Sequence, residues 1–390
     1  MTVAGSISDQ VLKILQKEEE AVMDMLKQLV DTESPSRVPS ALKKIIDLIT
    51  VEFHKLGYYT FYQPGETTGG FLYARPRKRD KAAPVQLLVG HCDTVWQLNT
   101  LFSMPFTEDE SKISGPGAYD MKAGITQILY SIKILKKLGE TPEVTPVILI
   151  NTDEEIGSIE SRRIIKRLAR LAERAFVMEP PLGLDGRLKT ERKGVGRFTL
   201  KVKGKAAHAG LDPEKGVNAI VELSHQIQKL YAMNDPEKGI TVNVGTITGG
   251  VSPNVVAPEG TAVIDVRVNN TEDGVWISEQ ILGLTPKFPE SELVVEGGIG
   301  RPPMEATTRN QALWHKAKEK GAELGMDLKS GKAGGGSDGN FTSQYTATLD
   351  GLGTPGDGAH APHEYILKQG LLERTALLTL LILEPSLQRT

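Results

Sequence analysis

Cysteine is almost absent from this chain. Cys92 is the single one in 390 residues, so no intrachain disulfide forms, and a reducing, cytoplasmic setting is expected. No stretch reaches 18 uninterrupted apolar residues, which argues against a membrane-spanning helix. Net charge is only −3, so neither a nucleic acid nor a membrane surface is an expected partner. The opening residues, MTVAGSISDQ, lack a basic segment followed by an apolar run, so no secretory signal is expected. Internal repeats and long low-complexity tracts are missing too, which sets aside solenoids and disordered linkers. What remains is ordinary soluble composition, 39% hydrophobic and 24% charged, in a chain long enough for two domains with separate cores.

The hydrophobic pattern divides the chain. Leu12, Leu15, Val22, Met25, Leu26 and Leu29 recur at helical spacing, and Ile45, Leu48, Ile49, Phe53 and Leu56 repeat it before Gly57. Short continuous apolar runs follow at 85–90 (VQLLVG), 147–150 (VILI) and 174–178 (RAFVM). The amphipathic segment 123–139 lies between the first two and ends in two lysines and Gly139. Apolar strands separated by helices predict an α/β domain with a mostly parallel sheet covered by helices. Near residue 190 the period changes to two. In RFTLKVKG (197–204), Phe198, Leu200 and Val202 alternate with Thr199, Lys201 and Lys203. With ITVNVGTI, TAVIDVRV and a helix over 217–230, this predicts an inserted α+β domain with an antiparallel sheet. The predicted division is 1–190 with 301–390 as one discontinuous domain and 191–300 as the insert.

Charged residues follow each apolar strand of the larger domain. His91 and Asp93 come after the first, Asp153, Glu154 and Glu155 after the second, and Glu179 after the third. Asp120 stands in the glycine-rich GPGAYDMKAG just before a helix, and GDGAHAPHEY offers His360 and His363. In an open α/β sheet, ligands bind beyond the carboxyl ends of the strands. Taken singly, each acidic residue is more often a cap or a solvated charge, and a lone histidine is more often structural. As a set they carry one chemistry at successive strand ends. Clustered carboxylates repel one another unless a cation holds them. Histidine nitrogen mixed with carboxylate oxygen suits zinc. Two histidines and three carboxylates exceed one tetrahedral shell but fit two metals that share a bridging carboxylate. Such a pair, roughly 4 Å apart, can activate water and polarise a carbonyl, leaving a free carboxylate to take the proton. Cys92 points away from its neighbour His91 and reads as a small buried residue. His54, His225 and His315 receive no role. GKAGGGSDG lacks the Lys-Ser/Thr ending of a phosphate loop, so nucleotide binding is not expected.

Together, GHCDTV, GPGAYDMKAG, NTDEEIGS, MEP and HAPHEY resemble the signature of the dinuclear-zinc aminoacylase/carboxypeptidase family. KGKAAHAG, PEKGVNAI and GGGSDG narrow the likeness toward glutamate carboxypeptidases of the folate-hydrolysing type. The resemblance runs in order from about residue 25 to the C-terminus. It implies that His91, Asp120 and Glu179 hold one zinc and that Asp120, Glu155 and His360 hold the other. Cobalt or manganese could substitute. It also implies Glu154 as general base and Asp93 as the residue that orients His91. The insert becomes a lid and dimerisation domain, which makes a homodimer the expected assembly. His208, in KAAHAG, becomes the hydrogen-bond donor to the developing oxyanion. Arg267 and Asn254, with the backbone near Gly336, are expected to bind the substrate carboxylate, and Arg187 to meet an acidic side chain.

The implied activity is zinc-dependent hydrolysis of an amide bond, releasing a C-terminal amino acid, with glutamate expected, from a peptide or N-acyl amino acid. An N-acyl amino acid deacylase of the acetylornithine deacetylase/desuccinylase type, or a dipeptidase, would use the same site with another pocket. A metal- or ligand-binding protein without catalysis is the rival of another class; Glu154 argues against it, because a binder has no use for a free base. The spacing from His360 to Glu364 differs from folate-type relatives, and His363 stands as a competing ligand.

Overall fold

A computed structural model describes residues 6–387. The chain forms two compact units. The larger comprises residues up to Glu191, Ala306–Lys332 and the chain from Ser337 onward; the smaller comprises Arg192–Glu305 and Ala333–Gly336.

The larger unit is built on a six-stranded sheet in the order Tyr58–Gln63, Phe71–Pro76, Thr145–Asn151, Val85–His91, Ala172–Val177 and Ala347–Leu349. The last four run parallel to one another. The first two form an antiparallel hairpin, and Phe71–Pro76 is antiparallel to Thr145–Asn151. Every residue of Thr145–Asn151 is buried, as expected of a strand covered on both faces. Alternation divides the strand residues between two cores. Leu88, Ile148, Ile150 and Phe176 pack with the helices Ile7–Asp31, Pro39–Lys55, Ala123–Leu138 and Lys368–Leu383. Leu87, Val89, Val147, Leu149 and Val177 face the other way, onto Ile165 and Ala169 of helix Arg162–Leu171 and onto Phe341. The predicted helix-covered parallel sheet is thus present, with an antiparallel hairpin added at one edge.

Local chemistry fixes the ends of these helices. Ser6 and Asp9 form a reciprocal capping box at the start of Ile7–Asp31. Gly139 closes Ala123–Leu138 in the left-handed conformation, φ 73°. No helix among the described residues is long and apolar enough to cross a membrane.

The smaller unit holds a four-stranded antiparallel sheet, in the order Thr241–Gly249, Glu259–Val268, Gly194–Lys203, Glu292–Arg301. Its period-two pattern buries Phe198, Leu200 and Val202 with Ala262, Ile264 and Val266. Leu223 and Leu230 of helix Ala219–Tyr231 and Ile277 and Ile281 of helix Thr271–Leu282 complete that core. Residues Ala333–Gly336 join the unit through backbone contacts. The Lys193 N–H donates to the Ala333 carbonyl at 3.0 Å, and the Arg192 guanidinium donates to the Gly335 and Gly336 carbonyls.

Candidate metal centre

Three adjacent parallel strands bring the first ligands together. Val85–His91 ends in His91, Thr145–Asn151 leads to the turn Glu154–Ile156, and Ala172–Val177 leads to Glu179. Asp120 comes from the turn Ala118–Lys122, which enters helix Ala123–Leu138. The backbone leaves helical conformation at Asp120 and Met121. Gly124, one turn on, permits the close approach of this helix to the third strand, since a Cβ there would lie 2.4 Å from the Met178 carbonyl oxygen.

The result is two ligand clusters with one member in common. His91, Asp120 and Glu179 form one; Asp120, Glu155 and His360 form the other; within each, ligand atoms lie within 4.8 Å of one another. His91 Nε2 is 3.1 Å from Asp120 Oδ1 and 3.6 Å from Glu179 Oε1. His360 Nε2 is 2.9 Å from Glu155 Oε2 and 3.6 Å from Asp120 Oδ2. The two carboxylate oxygens of Asp120 therefore face different clusters. His363 is exposed and belongs to neither. His360 has φ 62°, a left-handed conformation that costs a residue with a Cβ about 1 kcal/mol or more.

The electrostatics favour cations here. Burial opposes a charge on His91, but its hydrogen bonds with Asp120 and Asp93 outweigh that and hold its pKa well above the usual histidine range. The Glu155 carboxylate, with Asp120 behind it, lifts His360 to about 9. Burial pushes Glu155 up despite its bond to His360. Burial would raise Asp120 as well, but His91 and His360, with Lys189 farther out, keep it below its ordinary value. The residues present fit a pair of metal ions. Imidazole nitrogens and carboxylate oxygens are the mixed donor set of zinc-type sites. Moreover, Glu155 Oε1 is buried with no hydrogen-bond partner, a costly condition that a cation relieves.

Asp93 supports these ligands from behind, and Asp153 ties down the segment that follows the acidic turn. Both are fully buried. Asp93 Oδ1 lies 3.3 Å from His91 Nδ1 and accepts the Glu154 N–H at 3.2 Å. Its Oδ2 accepts the Ser36 hydroxyl at 2.7 Å and the Glu155 N–H at 3.2 Å. Asp93 thus fixes the imidazole and the acidic turn together. Asp153 accepts the Glu160 and Ser161 N–H groups and the Ser161 hydroxyl, closing the turn, and burial lifts its pKa to about 6. Glu154 opens that turn and is half-buried.

The remaining candidates belong to neither cluster. Arg187 is 44% exposed and donates to Asp185 at 3.2 Å. In the smaller unit, His208 and Asn254 are neighbours, joined by the Ala209 N–H donating to the Asn254 carbonyl at 3.0 Å. His208 Nδ1 accepts the N–H groups of Gly210 and Leu211, each at 3.1 Å. A nitrogen that accepts two hydrogen bonds carries no proton, so the hydrogen of a neutral ring sits on Nε2. Arg267 makes two bonds to Asp265, at 2.7 and 3.1 Å. The Gly336 carbonyl accepts from Arg192 at 3.2 Å. One role escapes a reading of the sequence, that of Glu364, which is fully buried and hydrogen-bonded to the Asp120 loop. Its sequence signal is its place four positions after His360 in HAPHEY, just before the short strand Tyr365–Leu367.

Known proteins of similar sequence and fold are peptidases. A sequence model of peptidase family M20/M25/M40 matches residues 87–384. Carboxypeptidase G2 of Pseudomonas sp. is 30% identical over 377 residues, covering 94% of this chain and 90% of the relative. Among solved structures, aminopeptidase PepT of Bacillus cereus superposes with a TM-score of 0.78 at 21% identity, covering 93% of this chain and 98% of that one. YXEP of Bacillus subtilis, described as a dinuclear metal binding peptidase, superposes with a TM-score of 0.70 at 15% identity, covering 94% and 98%.

Proposed function

The chain belongs to peptidase family M20/M25/M40, and from that membership we propose that it is a two-zinc carboxypeptidase that releases a C-terminal amino acid, glutamate first, from a peptide or N-acyl amino acid. It is a metal-dependent hydrolase by family. The observation that carries the reading is Asp120, with one oxygen toward His91 and the other toward His360. His91, Asp120 and Glu179 would hold one metal, and Asp120, Glu155 and His360 the other. When bound, the two ions polarise the scissile carbonyl and lower the pKa of water. Cobalt or manganese can replace zinc with such ligands.

The chain's own groups then divide the work. Glu154 takes the proton given up by the attacking water and passes it to the leaving nitrogen. His208 donates its Nε2–H to the carbonyl oxygen as that atom gains charge; the two N–H groups on Nδ1 support that role, since they keep the donor on Nε2. Arg267 and Asn254, with the backbone at Gly336, bind the substrate α-carboxylate. Arg187 meets an acidic side chain. The glutamate preference rests on the likeness to carboxypeptidase G2.

The smaller unit serves as lid and dimerisation surface. Edge strand Thr241–Gly249 is exposed from Gly245 to its end, with Ile247 59% accessible, and an open edge invites strand pairing with a second copy. A reducing, cytoplasmic setting accords with the single buried thiol. A second reading, an N-acyl amino acid deacylase or dipeptidase, draws on the commitment of Arg187 to Asp185. That pairing leaves the acidic-side-chain contact to compete with a carboxylate already present. The half-buried Glu154 beside a ligand speaks against a protein that only binds metal.

A release assay with zinc-loaded protein tests the proposal. The panel comprises N-acyl amino acids and dipeptides ending in Glu, Asp, Ala, Leu or Arg, plus folate, with and without chelator. Chelator-sensitive release favouring C-terminal Glu is expected. Preference for another residue or for short acyl groups moves the protein to the deacylase or dipeptidase reading. No release from a fully metallated protein overturns both.

A further inference from the structure

One acidic residue outside both clusters ends the His360 loop and reaches with its side chain to two other loops that build them. Glu364 is fully buried. Its Oε1 accepts the backbone N–H groups of Tyr119 at 2.9 Å and Asp120 at 3.0 Å. Its Oε2 accepts the Gly117 N–H at 2.9 Å and the Trp96 indole N–H at 2.8 Å. Its own N–H donates to the Ala361 carbonyl at 3.0 Å, next to His360, and its carbonyl accepts the Gly115 N–H. Immediately after it, Tyr365–Leu367 pairs antiparallel with Lys112–Ser114.

These contacts go beyond holding a fold together. Four N–H donors converge on one carboxylate, and two of them belong to Asp120 and its direct neighbour Tyr119. Gly117 must be glycine for its part, because it has φ 74° and a Cβ there would lie 2.5 Å from the Thr94 side chain. Lys122 stands close behind but spends its ammonium on the Thr32 and Pro116 carbonyls, at 3.1 and 3.4 Å. The Glu364 carboxylate is thus held by N–H groups, with the Lys122 charge attracting it from behind. Since only three residues separate Glu364 from His360, its grip on the Asp120 backbone sets the spacing between the shared ligand and the histidine of the second cluster.

We infer that Glu364 is a positioning residue of the metal centre, one that fixes Asp120 relative to His360 so that Asp120 can serve both clusters. The inference rests on the reading of those clusters as metal sites. Glutamine cannot replace it, because its amide has one acceptor oxygen and turns an NH2 toward N–H donors.

The test is titration of metal-free protein with Co2+ by calorimetry, read together with the visible spectrum of the bound ion. Wild type takes up two ions; if it takes up none, the metal reading falls and this inference with it. For Glu364→Gln the expected result is roughly 10- to 100-fold weaker uptake, the usual effect of losing a group that orients a ligand, with an altered spectrum. Glu364→Asp retains the charge and recovers part of the affinity, which a loss of packing alone would not allow. A folded Glu364→Gln that binds two ions with wild-type affinity and spectrum overturns the inference while leaving the metal reading intact. Should that variant not fold, Trp96→Phe decides: it removes one of the four donors, weaker uptake supports the role, and unchanged uptake overturns it.

Discussion

The Asp93 carboxylate accepts the N–H of Glu155, 62 positions away in the chain, at 3.2 Å. Through that bond and its contact with His91, Asp93 joins a histidine of one ligand cluster to the acidic turn of the other. Both oxygens are taken up by protein donors and Asp93 belongs to neither cluster, which fits the proposed role of orienting ligands. Asp93→Asn keeps the shape and one acceptor oxygen. Metal affinity is expected to fall about 10- to 100-fold, measured by competition with a chelating dye. Unchanged affinity would remove Asp93 from the centre.

Glu154 shares the turn with the candidate ligand Glu155 but belongs to neither cluster. Replacing it with glutamine should leave metal content unchanged, as measured by elemental analysis. Turnover should drop by about 10²- to 10⁴-fold, the range for losing a general base. A variant that loses metal along with activity would mark Glu154 as a ligand instead.

His208 presents its Nε2–H because Gly210 and Leu211 occupy Nδ1. His208→Ala should lower kcat by about 10²-fold or more with a much smaller change in KM, since the bond strengthens as charge develops. A rise in KM at constant kcat would instead make His208 a ground-state contact.

Glu222 contributes to the acid sensitivity of the smaller unit. Burial would raise its pKa, but bonds from Gln226, the N–H groups of Lys287 and Phe288, and the Ser291 hydroxyl hold it below the usual glutamate value. The folded protein thus favours the ionised form. That stabilisation is complete above the unfolded value near 4.5 and fades as pH falls through the lower folded value. Glu222→Gln should destabilise by about 1–3 kcal/mol near neutrality, seen in thermal melts, and the gap from wild type should narrow toward pH 3. A gap that persists unchanged at low pH would assign the cost to packing.

Much of this centre could be read from the chain because parallel strands buried on both faces are continuous apolar runs. VQLLVG and VILI announce where strands end, and charged residues stand immediately beyond them. The edge hairpin was harder to see: Tyr58–Gln63 and Phe71–Pro76 are short, half-exposed and mixed in character, so neither period emerges. The role of Glu364 is hidden in the sequence for another reason. Its partners are 244 to 268 positions away and contribute mostly backbone N–H groups, which have no residue-type signature. The tautomer of His208 and the pairing of Arg267 with Asp265 likewise depend on side-chain directions that only the fold determines.

Cys92 lies between His91 and Asp93, wholly shielded, with its N–H bonded to the Asn151 carbonyl at 2.9 Å. Burial holds the thiol far above its ordinary pKa, so it reacts only when the strand ends carrying the ligands separate. The rate at which a thiol reagent labels the native protein is therefore a clock for that opening. Because nothing else in the chain can be labelled this way, the signal comes from the floor of the centre alone.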